Sequence, residues 1–355
     1  MIEIQCNCIV LYVDMKLSYV IPVYNGEKYI SKCIDSLYRQ GISDDNFEVI
    51  CIDDCSTDGS AEQLRRYAGV YENLKLIIHS ENKRTGTTIN EGIRVACGDY
   101  IWIIGQDDWI EDNVVVHLLN NCFSENLDVL LFNYNRIDSS GMHLLSQAKV
   151  FSNSDSMRGI DFIHTYFGET FCIYLLGYEW RALLRRDYLL TNNILCPEGV
   201  IYEDSTILFR AIWYAERVKS NENYIYNYRV NELSVTDAKN RYKGYLTYEF
   251  AFVAGNEILN LAYELKGRER LLLYEQSMKY FKSFVYKVIP MSWTEKKVFY
   301  LNIVQHEELV KKGMELLPFY YKYLLHPVWG MVITTCLFPI WRLKHMFVHR
   351  SYMNK

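Results

Sequence analysis

The sequence predicts an α/β fold in which a mostly parallel sheet is flanked by helices and followed by a helical C-terminal region. Three observations support this prediction. Short apolar runs alternate with stretches of helical periodicity from Leu17 to about Asp112, and polar residues follow the apolar runs. Residues 240–355 lack this alternation and are rich in Tyr, Phe, Lys and Leu in a helix-like pattern.

The order of the elements explains why the sheet should be parallel. Two strands of one sheet that are joined by a helix run in the same direction. Strands are expected at residues 17–23, 47–52, 74–79 and 100–104, and helices from 30 to about 41, at 61–68 and at 88–96. Beyond residue 118 the alternation weakens, and we expect strands at 128–134 and 224–228 and helices at 161–176 and 203–215.

Polar side chains follow three of the predicted strands where each strand ends. They are Tyr24, Asn25 and Glu27 after the first strand, Asp53 and Asp54 after the second, and Gln106, Asp107 and Asp108 after the fourth. Ligands of parallel sheets bind beyond the carboxyl ends of the strands, so these side chains should line one crevice. An acidic crevice repels a bare phosphate, and therefore either binds a bridging divalent cation or accepts hydrogen bonds from a base and a ribose.

Several acids of the sequence also have a purely structural explanation. Asp58 would serve equally well as the N-cap of the next helix. Glu203 and Asp204 stand in the first turn of a predicted helix, where negative charge is favourable. A surface turn is the alternative for Asp107 and Asp108, although two adjacent acids directly after an apolar strand favour a site.

Composition excludes some classes of protein. The chain has 355 residues, of which 50% are hydrophobic and 23% charged, so it is too apolar for a disordered protein. Its net charge of −5 argues against a protein that binds nucleic acid through bulk charge. The ten cysteines show no metal-ligand spacing, and we interpret them as reduced thiols of a cytoplasmic protein.

Several motifs of this chain resemble those of family 2 glycosyltransferases, which have the GT-A fold. The motifs are residues 20–25 (VIPVYN), 52–59 (IDDCSTDG), 90–92 (NEG), 98–101 (GDYI) and 106–108 (QDD). Residues 197–199 (PEG), the Glu203-Asp204 pair, Tyr228-Arg229 and residues 234–236 (SVT) resemble acceptor-side motifs of bacterial surface-polysaccharide transferases.

The resemblance implies inverting transfer of a sugar from a nucleoside diphosphate, usually UDP, with Mn²⁺ or Mg²⁺. The acceptor would be a hydroxyl of a growing surface glycan, free or lipid-linked. Carried over by position, Asp107 and Asp108 would bind the metal and Asp204 would be the general base. Glu203 would orient Asp204 or raise its pKa through the proximity of like charge. The donor-binding residues would be Pro22, Tyr24, Glu27, Asp53, Asp54, Lys83, Arg84, Asn90 and Asp107, with Asp53 reading the uracil edge.

The resemblance also implies a division of the chain. Residues 17–118 would form the nucleotide-sugar half and residues 119–236 the acceptor-binding, catalytic half, before a helical region at 237–355. We interpret residues 1–16 as an N-terminal extension with Met15 as an alternative start. The other interpretation is an added edge strand, because residues 9–13 are rich in strand-forming types.

Three departures from the family pattern leave other functions open. Gly105 replaces the first acid of the D-x-D motif, Cys55 replaces a glycine, and Ile89 replaces an arginine for which Lys83 and Arg84 are possible substitutes. A non-catalytic homologue that binds sugar nucleotides is one alternative. A nucleotidyltransferase is less favoured, because the first loop lacks glycine-rich, basic character.

The C-terminal region contains an apolar segment at residues 323–341 with basic residues on both sides. A spanning helix needs about 20 apolar residues, and the flanking charge favours contact with an anionic surface, such as the inner face of the cytoplasmic membrane. A buried helical hairpin is an equally good interpretation.

Fractionation of cells that express the full chain or a truncation at about Leu317 distinguishes these interpretations. Membrane contact predicts that the full chain sediments with membranes and that the truncation stays in the supernatant. Equal partitioning of the two proteins would contradict it.

Overall fold

The structure is a computed structural model of the full chain. The residues that it describes are 17–167, 178–196, 204–231, 255–256, 258–263, 265–289, 292–294, 296–297 and 332–337. Several sequence predictions fall outside these residues: the N-terminal extension, residues 197–199, Glu203, residues 234–236 and most of the apolar segment at 323–341.

The first part of the chain forms the predicted parallel sheet. Its strands are β1 (Leu17–Val23), β2 (Phe47–Asp53), β3 (Leu74–Ile78) and β4 (Tyr100–Ile103), in the spatial order β3-β2-β1-β4. The connecting helices are α1 (Ile30–Leu37), α2 (Ser60–Ala68) and α3 (Thr85–Val95). Strands β1 and β2 are buried along nearly their whole length, as expected for parallel strands covered on both faces.

The second part extends the sheet beyond β4 in the order β4-β8-β6-β9-β5, with β7 beside β6. The strands are β5 (Trp109–Ile110), β6 (Val129–Ile137), β7 (Leu144–Ala148), β8 (Ala182–Arg185) and β9 (Val218–Arg229). The helices are α4 (Val115–Ser124), α5 (Gly159–Phe167), α6 (Arg186–Thr191) and α7 (Asp204–Trp213). Strand β8 is antiparallel to β4 and β6, whereas β9 is parallel to β6, so this part of the sheet is mixed.

The fold class predicted from the sequence is confirmed, and its errors lie in short or polar elements. Strand β5 has only two residues, β7 is largely exposed, and β8 runs directly into the apolar residues of α6, so none of them stands out as a separate apolar run in the sequence. Strand β9 begins at Val218 instead of residue 224. The polar side chains of its first half can be buried because they form hydrogen bonds with neighbouring segments. Ser220, for example, is buried and its hydroxyl donates to the Ser152 carbonyl at 2.7 Å.

An aromatic cluster joins β4, β8 and β9 in the core. The indole N–H of Trp102 on β4 donates to the Trp180 carbonyl at 2.7 Å, just before β8. The Trp180 ring stacks on Tyr226 of β9, with centroids 4.3 Å apart. These contacts hold the carboxyl end of β4 against the strands that arrive later in the chain.

The chain divides into two compact units. The first contains the described residues 17–167, 178–196 and 207–231, and the second contains residues 204–206 and those from 255 onward. The second unit includes helix α8 (Gly267–Val288), whose Leu273 and Phe281 are fully buried. No helix in the described part of the chain is long and apolar enough to cross a membrane.

Close packing of α3 on β1 and β2 provides a stability test. A Cβ at Gly92 would lie 2.3 Å from Val20 Cγ1 and 3.1 Å from Ile52 Cδ1. We therefore expect Gly92→Ala to lower the free energy of unfolding by about 1–3 kcal/mol through overpacking.

Chemical denaturation measures this effect, with Gly69→Ala as the matched control. At Gly69 a Cβ would approach nothing closer than 3.4 Å, and the change should stay within about 0.5 kcal/mol. Equal stability of the two variants would contradict the packing argument.

Candidate functional site

A cavity of about 200 Å³ lies beyond the carboxyl ends of β1 and β4. All of its lining residues belong to the first unit. They are Pro22, Val23, Tyr24, Asp54, Thr85, Thr88, Ile103, Ile104, Gly105, Gln106, Asp107 and Glu179. Of the predicted site residues, Pro22, Tyr24, Asp54 and Asp107 are thus brought together here.

Hydrogen bonds fasten the loop after β1 to the loop after β2. The Asn25 amide donates to the Ser56 hydroxyl at 2.9 Å, and the Thr57 amide donates to Asn25 Oδ1 at 2.8 Å. Glu27 Oε2 accepts from the Gly59 amide at 2.9 Å. The Glu27 carboxylate therefore braces these loops in this structure, and its predicted donor contact stays a prediction.

Gln106 fastens the same first loop to the loop after β4. Its amide group accepts from the Tyr24 N–H and donates to the Tyr24 carbonyl, both at 2.9 Å. A Cβ at Gly26 would lie 2.4 Å from Gln106 Oε1, so this clamp requires glycine there. The Tyr24 side chain remains 47% exposed at the cavity, where its ring can stack on a flat ligand.

Asp53 and Asp54 differ in their hydrogen-bond partners. Asp53 Oδ2 accepts from the Ser56 amide at 3.1 Å, whereas its buried Oδ1 has no hydrogen-bond partner among the described residues. A buried acceptor without a partner is costly, unless a ligand supplies the donor. Asp54 instead binds the protein, accepting from the amides of Lys83 at 2.7 Å and Arg84 at 2.8 Å.

The backbone of Arg84 is strained. Its φ of 71° and ψ of 158° lie in a region that is nearly exclusive to glycine. Arg84 is the N-cap residue of helix α3, and its non-helical conformation sets the start of the helix at Thr85. The sequence predicted a start at residue 88. Strain of this kind concentrates at functional sites.

Asn90 connects α3 to a later segment of the chain. Its side-chain amide donates to the Cys196 carbonyl at 2.9 Å and its oxygen accepts from the Cys196 amide at 2.7 Å. Both polar atoms of this buried side chain are thus used within the protein, and its donor contact stays a prediction. The neighbouring Ile89 is fully buried, so the position of the family's arginine is part of the core.

Asp108 is buried beneath the loop after β4. Its Oδ2 accepts from the Tyr226 hydroxyl at 2.7 Å, and its Oδ1 accepts from the Arg229 amide at 2.8 Å. Tyr226 in turn accepts from the Gly105 amide at 3.0 Å. Burial, with a smaller contribution from the Asp107 charge, raises the pKa of Asp108 well above its usual range. This geometry favours a positioning role for Asp108 over direct metal ligation.

Asp107 faces the cavity, while its carbonyl accepts from Arg229 Nε at 2.9 Å. Burial raises the pKa of its carboxyl, and the Arg229 charge opposes this shift. The departure at Gly105 has a steric reason, because a Cβ there would lie 2.7 Å from Asp108 Oδ2.

The Asp107 carboxylate at the cavity suits a divalent cation that binds together with the phosphates of a substrate. No group of three metal-ligating side chains exists within the described residues. Mg²⁺ is commonly held by one or two carboxylates together with substrate phosphates, and Asp107 at the cavity wall fits that pattern. Among the described side chains, Asp107 would therefore hold the cation.

The predicted catalytic acids lie elsewhere in the chain. Helix α7 begins at Asp204, which belongs to the second unit, but the Asp204 side chain and the whole of Glu203 lie outside the described part. Their roles stay predictions.

Four residues of the site were not predicted in these roles: Gln106 as a clamp between two loops, and Thr85, Thr88 and Glu179 at the cavity wall. Gln106 lies inside the motif at residues 106–108, and its amide side chain is the feature that indicates a clamp. Glu179 comes to the cavity because β8, which follows it, is antiparallel to β4. The pairing of β8 with β4 is a long-range contact, and no local pattern in the sequence indicates it.

Comparison with known proteins finds a similarity to one family. Residues 18–177 match the model of "Glycosyl transferase family 2". The match spans slightly less than half of the chain, and over this stretch the chain is similar to glycosyl transferase family 2.

Two curated relatives carry names that describe glycosyltransferases. The chain is 30% identical over 218 residues to poly(ribitol-phosphate) beta-glucosyltransferase of Bacillus spizizenii, a match that covers 61% of this chain and 32% of the relative. It is also 30% identical over 230 residues to the putative glycosyltransferase EpsH of Bacillus subtilis, covering 62% of each. The chain thus spans less than two thirds of these relatives' lengths.

Solved structures confirm the fold. The Staphylococcus aureus TarS fragment 1–349 in complex with UDP-GlcNAc matches with a TM-score of 0.67 at 21% identity, covering 93% of this chain and 92% of that one. At this identity the likeness concerns the fold alone, and it agrees with the α/β fold predicted from the sequence.

The strain at Arg84 predicts an unusual order of stabilities. Arg84→Ala and Arg84→Gly both remove the side chain, but only glycine relieves the backbone. Glycine has more unfolded-state entropy to lose, which offsets part of the gain. We expect the Gly variant to be more stable than the Ala variant by about 0.5–2 kcal/mol. Urea denaturation of the pair measures the difference, and a more stable Ala variant would contradict the strained conformation.

Proposed function

We propose that this protein is a glycosyltransferase, an inverting, metal-dependent enzyme that transfers a sugar from a UDP donor to a hydroxyl of a growing surface glycan. One observation carries the proposal. Three loops at the carboxyl ends of β1, β2 and β4 are tied together around a single cavity that contains the Asp107 carboxylate. This arrangement suits a ligand with a base at one end and a diphosphate at the other.

The nucleoside would bind between the first two loops. Asp53 Oδ1, which is buried and has no partner among the described residues, would accept from the N–H of a uracil edge, and the exposed Tyr24 ring would offer a stacking surface beside Pro22. The loop before α3, which contains Lys83 and Arg84, is held to Asp54 by two backbone hydrogen bonds. Lys83 and Arg84 would bring positive charge to the diphosphate.

The leaving diphosphate gains negative charge as the glycosidic bond breaks. A divalent cation, Mn²⁺ or Mg²⁺, would neutralise that charge when bound. Asp107 would hold the cation, and Asp108 would keep Asp107 in place through its contacts with Tyr226 and Arg229.

Inversion requires the acceptor hydroxyl to attack from the face of the sugar opposite the diphosphate. A base must remove the hydroxyl proton there, and we assign this role to Asp204, with Glu203 orienting it. General-base assistance typically contributes about 10²–10⁴-fold to the rate.

The acceptor is proposed from the relatives. The two S. aureus and B. spizizenii relatives carry names that specify poly(ribitol-phosphate) as the polymer to which glucose or N-acetylglucosamine is added. A surface polymer, free or lipid-linked, is therefore the acceptor class. Action at the inner face of the cytoplasmic membrane, with contact through residues 323–341, belongs to the same proposal.

Release of UDP from a panel of UDP-sugars, with Mn²⁺ or Mg²⁺ and with EDTA, tests this function. We expect cation-dependent release that Asp107→Asn abolishes and Asp204→Asn lowers by about 10²–10⁴-fold. The controls are Asp112→Asn and Asp187→Asn, two exposed acids in surface ion pairs, which should retain activity.

Two outcomes would contradict the proposal. Activity that resists EDTA would contradict the metal dependence. Tight UDP binding without turnover on any donor or acceptor would indicate a non-catalytic sugar-nucleotide-binding homologue.

A further inference from the structure

His79 is a buried histidine held between two carboxylates, one of which, Asp54, lines the cavity beyond β1 and β4. It follows β3 directly, and its side chain is only 2% exposed. Its Nδ1 lies 2.8 Å from Asp54 Oδ1, and its Nε2 lies 2.9 Å from Glu91 Oε2 on α3. Neither His79 nor Glu91 was among the predicted site residues.

Asp54 links this histidine to the loop that contains Lys83 and Arg84. The carboxylate oxygen that faces His79 also accepts from the Lys83 amide, and the other oxygen accepts from the Arg84 amide. His79 thus fixes the direction of the carboxylate that orders the backbone at residues 83 and 84.

The connection matters because Arg84 adopts a strained backbone conformation. Such conformations persist only where the surrounding structure over-determines them. The two hydrogen bonds from residues 83 and 84 to Asp54 provide that determination, and they depend on the carboxylate staying where His79 holds it. Glu91 fixes the far side of the ring, and Lys83 Nζ lies 3.7 Å from the same Glu91 oxygen.

We propose that His79 is a positioning residue of the donor site, which keeps residues 83 and 84 in the conformation that binds the nucleotide diphosphate. A leucine could fill the same volume but could not orient Asp54. The binding part of this inference rests on the proposed function, whereas the effect on the loop does not.

The experiment compares three variants of the full chain. His79→Leu removes both ring contacts. His79→Asn keeps a donor near Asp54 but is too short to reach Glu91. His117→Asn, at an exposed histidine on α4, is the matched control.

Hydrogen exchange followed by mass spectrometry reports on peptides that cover residues 80–86, and calorimetry gives the Kd for UDP. We expect His79→Leu to speed exchange in these peptides and to weaken UDP binding by about tenfold or more, because a buried carboxylate loses a partner. His79→Asn should be intermediate, and His117→Asn should match the wild type. The kcat at saturating donor should change less than KM.

Unchanged exchange at residues 80–86 in a folded His79→Leu variant would overturn the proposal, as would a loss of kcat without loss of UDP affinity. If His79→Leu does not fold, the same comparison between His79→Asn and His117→Asn decides. A wild-type chain that binds no UDP would contradict the proposed function, while the exchange data would still report on the loop.

Discussion

The site depends on one buried carboxylate. Asp108 accepts hydrogen bonds from the Tyr226 hydroxyl and the Arg229 amide, and so joins the loop after β4 to the end of β9. More than a hundred residues separate these partners in sequence, so the contact forms only when the mixed part of the sheet is complete. The cost of burying the acid is offset only while both hydrogen bonds hold. The adjacent Asp107 therefore keeps a fixed place at the cavity wall.

The other cavity loops follow the same physical logic. Side chains bind the backbone of neighbouring loops, as Gln106 does at Tyr24 and Asp54 does at residues 83 and 84. Each loop is therefore ordered before any ligand binds, which lowers the entropy cost of binding. The strained Arg84 is tolerated because this network holds it. Asp53 keeps one buried oxygen without a hydrogen-bond partner among the described residues.

The sequence predicted the parallel part of the fold well, because strands β1, β2 and β4 are mostly apolar and almost fully buried. Strand β3 is partly exposed and contains Lys75, but its place between two predicted helices indicated it. It also predicted that residues such as Tyr24, Asp54 and Asp107 would share one crevice. It could not reveal that Glu27 and Asn90 use their polar atoms within the protein, since those partners come from distant segments. Glu179 and His79 were missed for the same reason, because only the sheet order and the α3 packing place them at the site.

A crystal structure of the chain with UDP and Mn²⁺ tests most directly whether the cavity beyond β1 and β4 binds a nucleoside diphosphate with a cation at Asp107. We expect the uracil base to contact Asp53 and Tyr24, and the Asp107 carboxylate to hold the Mn²⁺ beside the diphosphate. Nucleotide bound elsewhere on the chain, or Mn²⁺ held without Asp107, would contradict it.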